Sequence, residues 1–313
     1  MLDYRAEFDA EVAFDGGGEL RARGFRLNIP HADVTDTEIT ALLVAMLAPQ
    51  RVERAEVSGV RIFAEPHSPA GDPQAGRVRF VELSHVITAG MVTYPGLPAP
   101  EITPHLTRDA SRGVYAPGTE FAIDRITMVG NTGTYLDSPF HRYADGADLA
   151  GLPLERLAGL PAVVVRAVGG ERGVTAEMLA HVAVAGHAVL LHTGGDRHWG
   201  TPAYGVDAPY LTSDGAKLLA DRGAALVGID AVNIDDVSPA AAGERPVHSL
   251  LLAAGIPVVE HLTNLRELPP LGACFTAAPP RVAGFGTFPV RAFATVPADD
   301  LPGSAGDLSR CAG

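Results

Sequence analysis

Apolar and polar positions partly alternate over residues 7–14. Asp15-Gly16-Gly17-Gly18 then supplies a turn signal, and residues 20–29 read as a returning strand, so a hairpin is expected. Thr35-Asp36-Thr37-Glu38 fits a capping box, with Glu38 placed to reach back to the cap. Ile39, Leu42, Leu43 and Met46 follow at helical spacing, and Pro49 marks the stop. Residues 52–63 read as a third, weakly patterned strand. Residues 1–66 are therefore expected to form a small ββαβ unit. It buries little surface, so it is expected to lean on the main domain or on another subunit. It carries no nameable chemistry, which leaves an interaction or structural role. Residues 67–77, rich in Pro and Gly, read as a linker.

From 78 to 297 the pattern changes to short apolar blocks separated by Gly and Pro. Strands are expected at 78–85, 123–129, 161–168, 188–191 and 226–230. Thr175 is placed to cap a helix over 176–185, and Thr212-Ser213-Asp214 opens another through Leu219, stopped by Gly223. Residues 249–254 read as a short helix with Gly255 beyond its end, followed by Val258-Val259 as a strand leading into Glu260. Strands alternating with helices predict a mixed α/β layered domain. Residues 298–313 are polar and are expected to fray.

The 313 residues suffice for one large domain or a domain with an appendage. A formal charge of -13 with no basic stripe excludes nucleic acid and anionic membrane as partners. No apolar run approaches a membrane span, and the N-terminus has no apolar signal core. Two cysteines, Cys274 and Cys311, suit a reducing cytoplasm, with Cys274 expected to be buried and inert. There is no Gly-x-Ser-x-Gly elbow, and Thr193-Gly194-Gly195 is too short for a phosphate loop.

Chemistry concentrates in Gly130-Asn131-Thr132-Gly133-Thr134-Tyr135-Leu136-Asp137-Ser138-Pro139-Phe140-His141. The glycines allow tight turning and Pro139 resists a return to regular pairing, so polar side chains are expected to leave a strand end on a loop. The bland alternative is a polar turn capped by Asp137. In a second cluster, His248 and Glu260 flank one helix–strand unit and are expected to face a common cavity. Taken singly, His248 reads as a solvated residue at a helix N-terminus and Glu260 as a partner for Arg266. Tyr94, Phe140, Trp199 and His198 are pocket candidates, although aromatics more often belong to the core. His85 is expected to be a structural hydrogen-bonder, and His261 receives no role.

Together the clusters resemble the cyclase family of hydrolases, which includes bacterial kynurenine formamidases and isatin hydrolases. The resemblance runs from about Val78 to Val296. It rests on Leu83-Ser84-His85, Tyr94-Pro95-Gly96, Gly133-Thr134, Asp137, Pro139 and His141, then Thr193-Gly194 and Trp199-Gly200. It continues through His248, Leu251-Leu252, Gly255-Ile256 and Glu260 to Gly286 and Pro289-Val290-Arg291-Ala292. It implies a swivelling β/β/α domain, hydrolysis of an amide, formamide or lactam on a small and often aromatic molecule, divalent zinc or manganese, and a homodimer. By position, Asp137, His248 and Glu260 would be metal ligands and His141 the proton-handling residue.

Two departures stand out. The family signature reads His-x-Gly-Thr-His-x-Asp-x-Pro-x-His, and this chain has Asn131 and Tyr135 at its first two imidazole positions. An amide oxygen or a neutral phenol is a poor zinc ligand. Asp137, His248 and Glu260 would still hold one cation with a place open for water. Three readings follow. One is a hydrolase of a small amide, formamide, lactam or lactone, with water on a single metal. Another is a metal-free cyclase, dehydratase or lyase using His141, Tyr135 and Asp137, with Asn131 beside them. The third is a non-catalytic relative that binds a small molecule.

Overall fold

The structure is a computed structural model that describes residues 2–14, 18–29, 31–46, 52–66 and 78–297. The expected turn at 15–17, Pro49, the linker at 67–77 and the tail at 298–313 lie outside the described residues. The chain divides into two compact units, Met1–Gly76 and Arg77–Gly313.

In the smaller unit, β1 (Leu2–Phe14) sits between β2 (Gly18–Ile29) and β3 (Val52–Pro66), antiparallel to both. Alternate β1 residues Ala6, Phe8, Ala10 and Val12 are buried against Ile39 and Leu43 of helix α1 (Asp36–Met46). That is the period of two a half-buried strand requires. At the start of α1, Thr35 Oγ1 accepts the Glu38 N–H at 3.3 Å, and Glu38 Oε2 accepts the Thr35 N–H at 2.8 Å. Two otherwise orphaned donors are thereby satisfied.

The larger unit opens with β4 (Val78–Glu82). An antiparallel ribbon of β5 (Glu101–Leu106) and β6 (Ile123–Thr127) follows, with α2 (Arg108–Ser111) between its strands. Every residue of β6 is exposed, so this strand lies outside the main sheet. The chain then supplies β7 (Tyr135–Asp137), β8 (Leu160–Arg166), β9 (Gly173–Val174), α3 (Ala176–Leu179) and β10 (Ala188–His192). It continues with β11 (Tyr210–Leu211), α4 (Ser213–Asp221), β12 (Leu226–Ile229), α5 (Pro246–Ala253) and β13 (Val258–Glu260). The last strands are β14 (Ala273–Thr276), β15 (Thr287–Pro289) and β16 (Phe293–Pro297).

Nine strands form one sheet in the order β15-β7-β13-β12-β10-β8-β14-β16-β4. Its centre, β8, β10, β12 and β13, is parallel, and both flanks are antiparallel. The parallel strands are apolar on both faces, as burial between two layers demands. Val189, Leu191, Val227, Ile229 and Val258 face Leu219 of α4 and Leu251 and Leu252 of α5. On the other face Leu190, Val259 and Leu136 join Val81 and Ala294 in one core. Residues from opposite ends of the sheet share that core, so the sheet curls around it.

Three elements differ from the sequence expectation. The helix after Thr175 stops at Leu179, because β-branched Val182 and Val184 and then Gly186 oppose its continuation. Helix α5 begins at Pro246, whose ring is preorganised for a first turn, so His248 lies inside the helix instead of before it. Residues Tyr135–Asp137 form a strand of the main sheet and not a loop; Pro139 ends the pairing only after it. Cys274, on β14, is half-buried instead of buried.

Candidate metal centre and its surroundings

Register places the site. On β7, Tyr135 and Asp137 point to one face and Leu136 to the other. Glu260 on β13 pairs opposite Tyr135, and Thr287 on β15 pairs opposite Asp137. Four polar side chains on three neighbouring strands therefore share the face that α5 covers. Helix α5 adds His248. Ligand atoms of Asp137, His248 and Glu260 all lie within 4.8 Å of one another. His248 Nε2 is 3.5 Å from Asp137 Oδ2 and 3.6 Å from Glu260 Oε1.

The segment between β12 and α5 braces this cluster. Asp235 accepts the backbone N–H groups of Val247 at 2.7 Å and His248 at 3.1 Å, which closes the first turn of α5. The same carboxylate lies 2.6 Å from His248 Nδ1 and so directs Nε2 inward. The Ile234 N–H donates to Glu260 Oε1 and the Tyr135 hydroxyl to Glu260 Oε2, each at 2.6 Å. Glu260 is thus held by these two donors and not by Arg266. Thr287 Oγ1 donates to Asp137 Oδ1 at 2.5 Å and lies 2.7 Å from His141 Nδ1. Asp137 Oδ2 is buried and has no hydrogen-bond partner.

Charge is unbalanced here. Burial pushes the Glu260 carboxyl up to about 7, against the opposing pull of His248. Burial also acts to raise Asp137, but the close approach of His248, the charges of His141 and His248, and the Thr287 hydroxyl outweigh it and leave Asp137 below its ordinary value. Burial works against a charged His248, yet Glu260, Asp137 and Asp235 hold its pKa well above normal. Burial, then Glu260 and Asp137, keep the Tyr135 phenol neutral by raising its pKa well above the ordinary value.

A divalent cation fits the donors. Ligands at about 2.0–2.2 Å in a tetrahedral shell stand roughly 3.3–3.6 Å apart, which matches the spacing from His248 to both carboxylates. The unpartnered Asp137 Oδ2 and the excess of buried carboxylate supply the remaining conditions.

His141 lies one short turn after Asp137, its side chain 38% exposed and its Nδ1 3.7 Å from Asp137 Oδ1. Asn131 approaches the Tyr135 hydroxyl. Trp199 and Tyr204 line a cleft of about 790 Å³ with Val86, Met91, Thr93 and Pro95. Thr93 Oγ1 accepts the Gly133 N–H at 2.8 Å, so the cleft borders the loop before β7. Tyr94 packs beside Trp199 and Tyr204. Phe140 is half-buried on the turn that carries His141. His198 accepts from Arg197 Nε at 3.0 Å and makes no contact with the Asp137 cluster among the described hydrogen bonds.

Sequence reasoning passed over Asp235, Thr287, Tyr204 and His261. His261 is fully buried, with a left-handed backbone at φ 58°. Its Nδ1 lies 2.8 Å from the Tyr204 hydroxyl, and its ring meets those of Tyr135 and Trp199. Burial pushes its pKa down to about 3. His85 stacks on Trp199 at 3.9 Å with its Nε2 unpartnered, so packing and not hydrogen bonding holds its ring. The signal for His261 was its position directly after Glu260. Thr287 had only its place after Gly286.

A curled α/β sheet thus brings an Asp–His–Glu cluster under one helix, with ligand atoms close enough together to hold a cation. Residues 81–236 match the model of the family described as putative cyclase, a range that contains Asp137, His141 and Asp235. The larger unit of this chain belongs to the cyclase family. A potential metal-dependent hydrolase with cyclase activity is similar at 25% identity, with 72% of this chain and 100% of that chain covered and a TM-score of 0.57. Isatin hydrolase A from Labrenzia aggregata, bound to benzyl benzoate, shares the fold at 24% identity, with 70% and 94% covered and a TM-score of 0.62. An isatin hydrolase bound to the product analogue thioisatinate does so at 24% identity, with 70% and 93% covered and a TM-score of 0.59. Among the described residues, no helix is long and apolar enough to cross a membrane.

Proposed function

We propose that the larger unit is a hydrolase of a small amide, formamide, lactam or lactone. It uses one divalent cation, zinc or manganese, held by Asp137, His248 and Glu260. The observation that carries this reading is Asp137 Oδ2, buried without a hydrogen-bond partner and facing His248 Nε2. When bound, the cation supplies Lewis acidity toward a carbonyl and makes water acidic enough to react near neutral pH. Asp235 orients His248 so that Nε2 and not Nδ1 would meet a bound cation. Tyr135 and Ile234 fix the Glu260 carboxylate without taking up all its lone pairs. His141, at the exposed rim, is placed to take a proton from the attacking water and deliver it to the leaving nitrogen or oxygen. The cleft beside Trp199 and Tyr204 suits a flat aromatic substrate.

Metal analysis of protein purified without added metal tests this, together with turnover of a panel of formanilides, lactams and isatin. Stoichiometric zinc or manganese and chelator-sensitive turnover are expected. No metal, and turnover untouched by chelator, would end the reading. One observation favours the metal-free alternative: the 2.6 Å contact between Tyr135 and Glu260 with the carboxyl raised to about 7. Such a pair can shuttle a proton for ring closure or dehydration, and chelator-resistant activity would be its mark.

A further inference from the structure

We propose that Thr287 is the positioning residue for His141, fixing its ring with the proton on Nδ1 and the Nε2 lone pair on the open side. The hydroxyl of Thr287 has one proton and two acceptor sites. It lies 2.5 Å from Asp137 Oδ1 and 2.7 Å from His141 Nδ1. Thr287 donates its one hydroxyl proton to Asp137 Oδ1, since a carboxylate that serves as a cation ligand can only accept. The remaining contact is satisfied only if His141 Nδ1 carries the hydrogen and donates to Thr287. The three groups then form one directed chain, from His141 Nδ1–H to Thr287 and from Thr287 to Asp137.

The backbone is shaped to keep this chain short. Thr287 is 5% exposed and pairs directly across from Asp137. A Cβ on Gly130 would fall 2.3 Å from the Thr287 carbonyl oxygen, and one on Gly286 would fall 2.7 Å from the His141 backbone. Only glycine at both places lets the start of β15 enter between the loop before β7 and the turn carrying His141. The chain also leaves Asp137 Oδ2 free, because Thr287 engages Oδ1 alone.

The tautomer stands on geometry; its use in turnover rests on the hydrolase reading above. The test is long-range 1H–15N correlation on protein as purified, labelled at the histidine rings, in mildly alkaline buffer. The His141 signals are assigned by their loss in His141→Gln. Wild type and Thr287→Ser are expected to show a pyrrole-like Nδ1 and a pyridine-like Nε2. In Thr287→Val the Nδ1–H share should fall about fivefold or more, since the partner that selects it is gone. On any probe that is turned over, Thr287→Val should lower kcat about 10–100-fold with KM nearly constant, and Thr287→Ser should restore it. A wild-type or Thr287→Ser ring protonated on Nε2 overturns the proposal, even if Thr287→Val fails to fold. So does a Thr287→Val protein that keeps the Nδ1–H form or the full kcat. The expected tautomer with no hydrolysis of any probe would instead count against the hydrolase reading and leave the Thr287 chain standing.

Discussion

Asp235 touches no proposed substrate, yet it holds His248 by its ring and its backbone at once. Replacing it with Asn is expected to weaken zinc binding about 10–100-fold, because the imidazole loses both orientation and basicity. A competition titration against a chromophoric chelator reads this. Zinc affinity should also rise with pH, since His248 must lose its proton to ligate and its carboxylate neighbours hold that proton well above the normal range. The pair Asn131→His with Tyr135→His should raise zinc affinity further. If that double variant binds no metal, the ligand assignment is wrong. His261 supplies a pH dependence of stability. Its folded pKa, about 3, lies below the ordinary histidine value of 6.5. The unfolded chain therefore binds an extra proton as pH falls below about 6.5, and stability drops by roughly 1.4 kcal/mol per pH unit until the folded pKa is reached. Above about 6.5 this loss is absent. His261→Asn, which tolerates the left-handed backbone, should flatten the acid limb of a plot of Tm against pH.

At the scale of elements, the most sensitive contact is the one between β15 and the turn after β7. Gly286→Ala would drive a methyl into the His141 backbone. Overpacking of this kind costs about 1–3 kcal/mol, and here it should also separate Thr287 from His141. Chemical denaturation and the histidine ring shifts would report the two effects separately. The elements themselves were legible to different degrees. Strands β8, β10 and β12 are continuous apolar runs and read directly, as do the Thr35–Glu38 box and the Thr212 cap of α4. Strand β7 was hidden, because a three-residue strand among glycines has no period to detect. The end of α3 was hidden too, since a cap states where a helix starts and not how far it runs.

At the scale of the molecule, each unit has its own buried core. Calorimetry is expected to resolve two transitions, and zinc at about one hundred times its Kd should stabilise one of them alone by about 2.7 kcal/mol. A single transition, or a zinc shift shared by both, would contradict this. The chain by itself determined the apolar strands β8, β10 and β12 and where the capped helices begin, because apolar runs, caps and turn residues act over a few positions. It also announced the types of group available for chemistry, and through Asn131 and Tyr135 it showed where two imidazoles are missing. Tertiary structure decided which groups meet. Asp137, Glu260 and Thr287 face one another only through the register of β15, β7 and β13, strands drawn from distant parts of the chain. Asp235 meets His248 only because the segment after β12 folds over the start of α5. Register is set by the long-range packing of a whole curled sheet, and no local pattern of hydrophobic and polar residues encodes it.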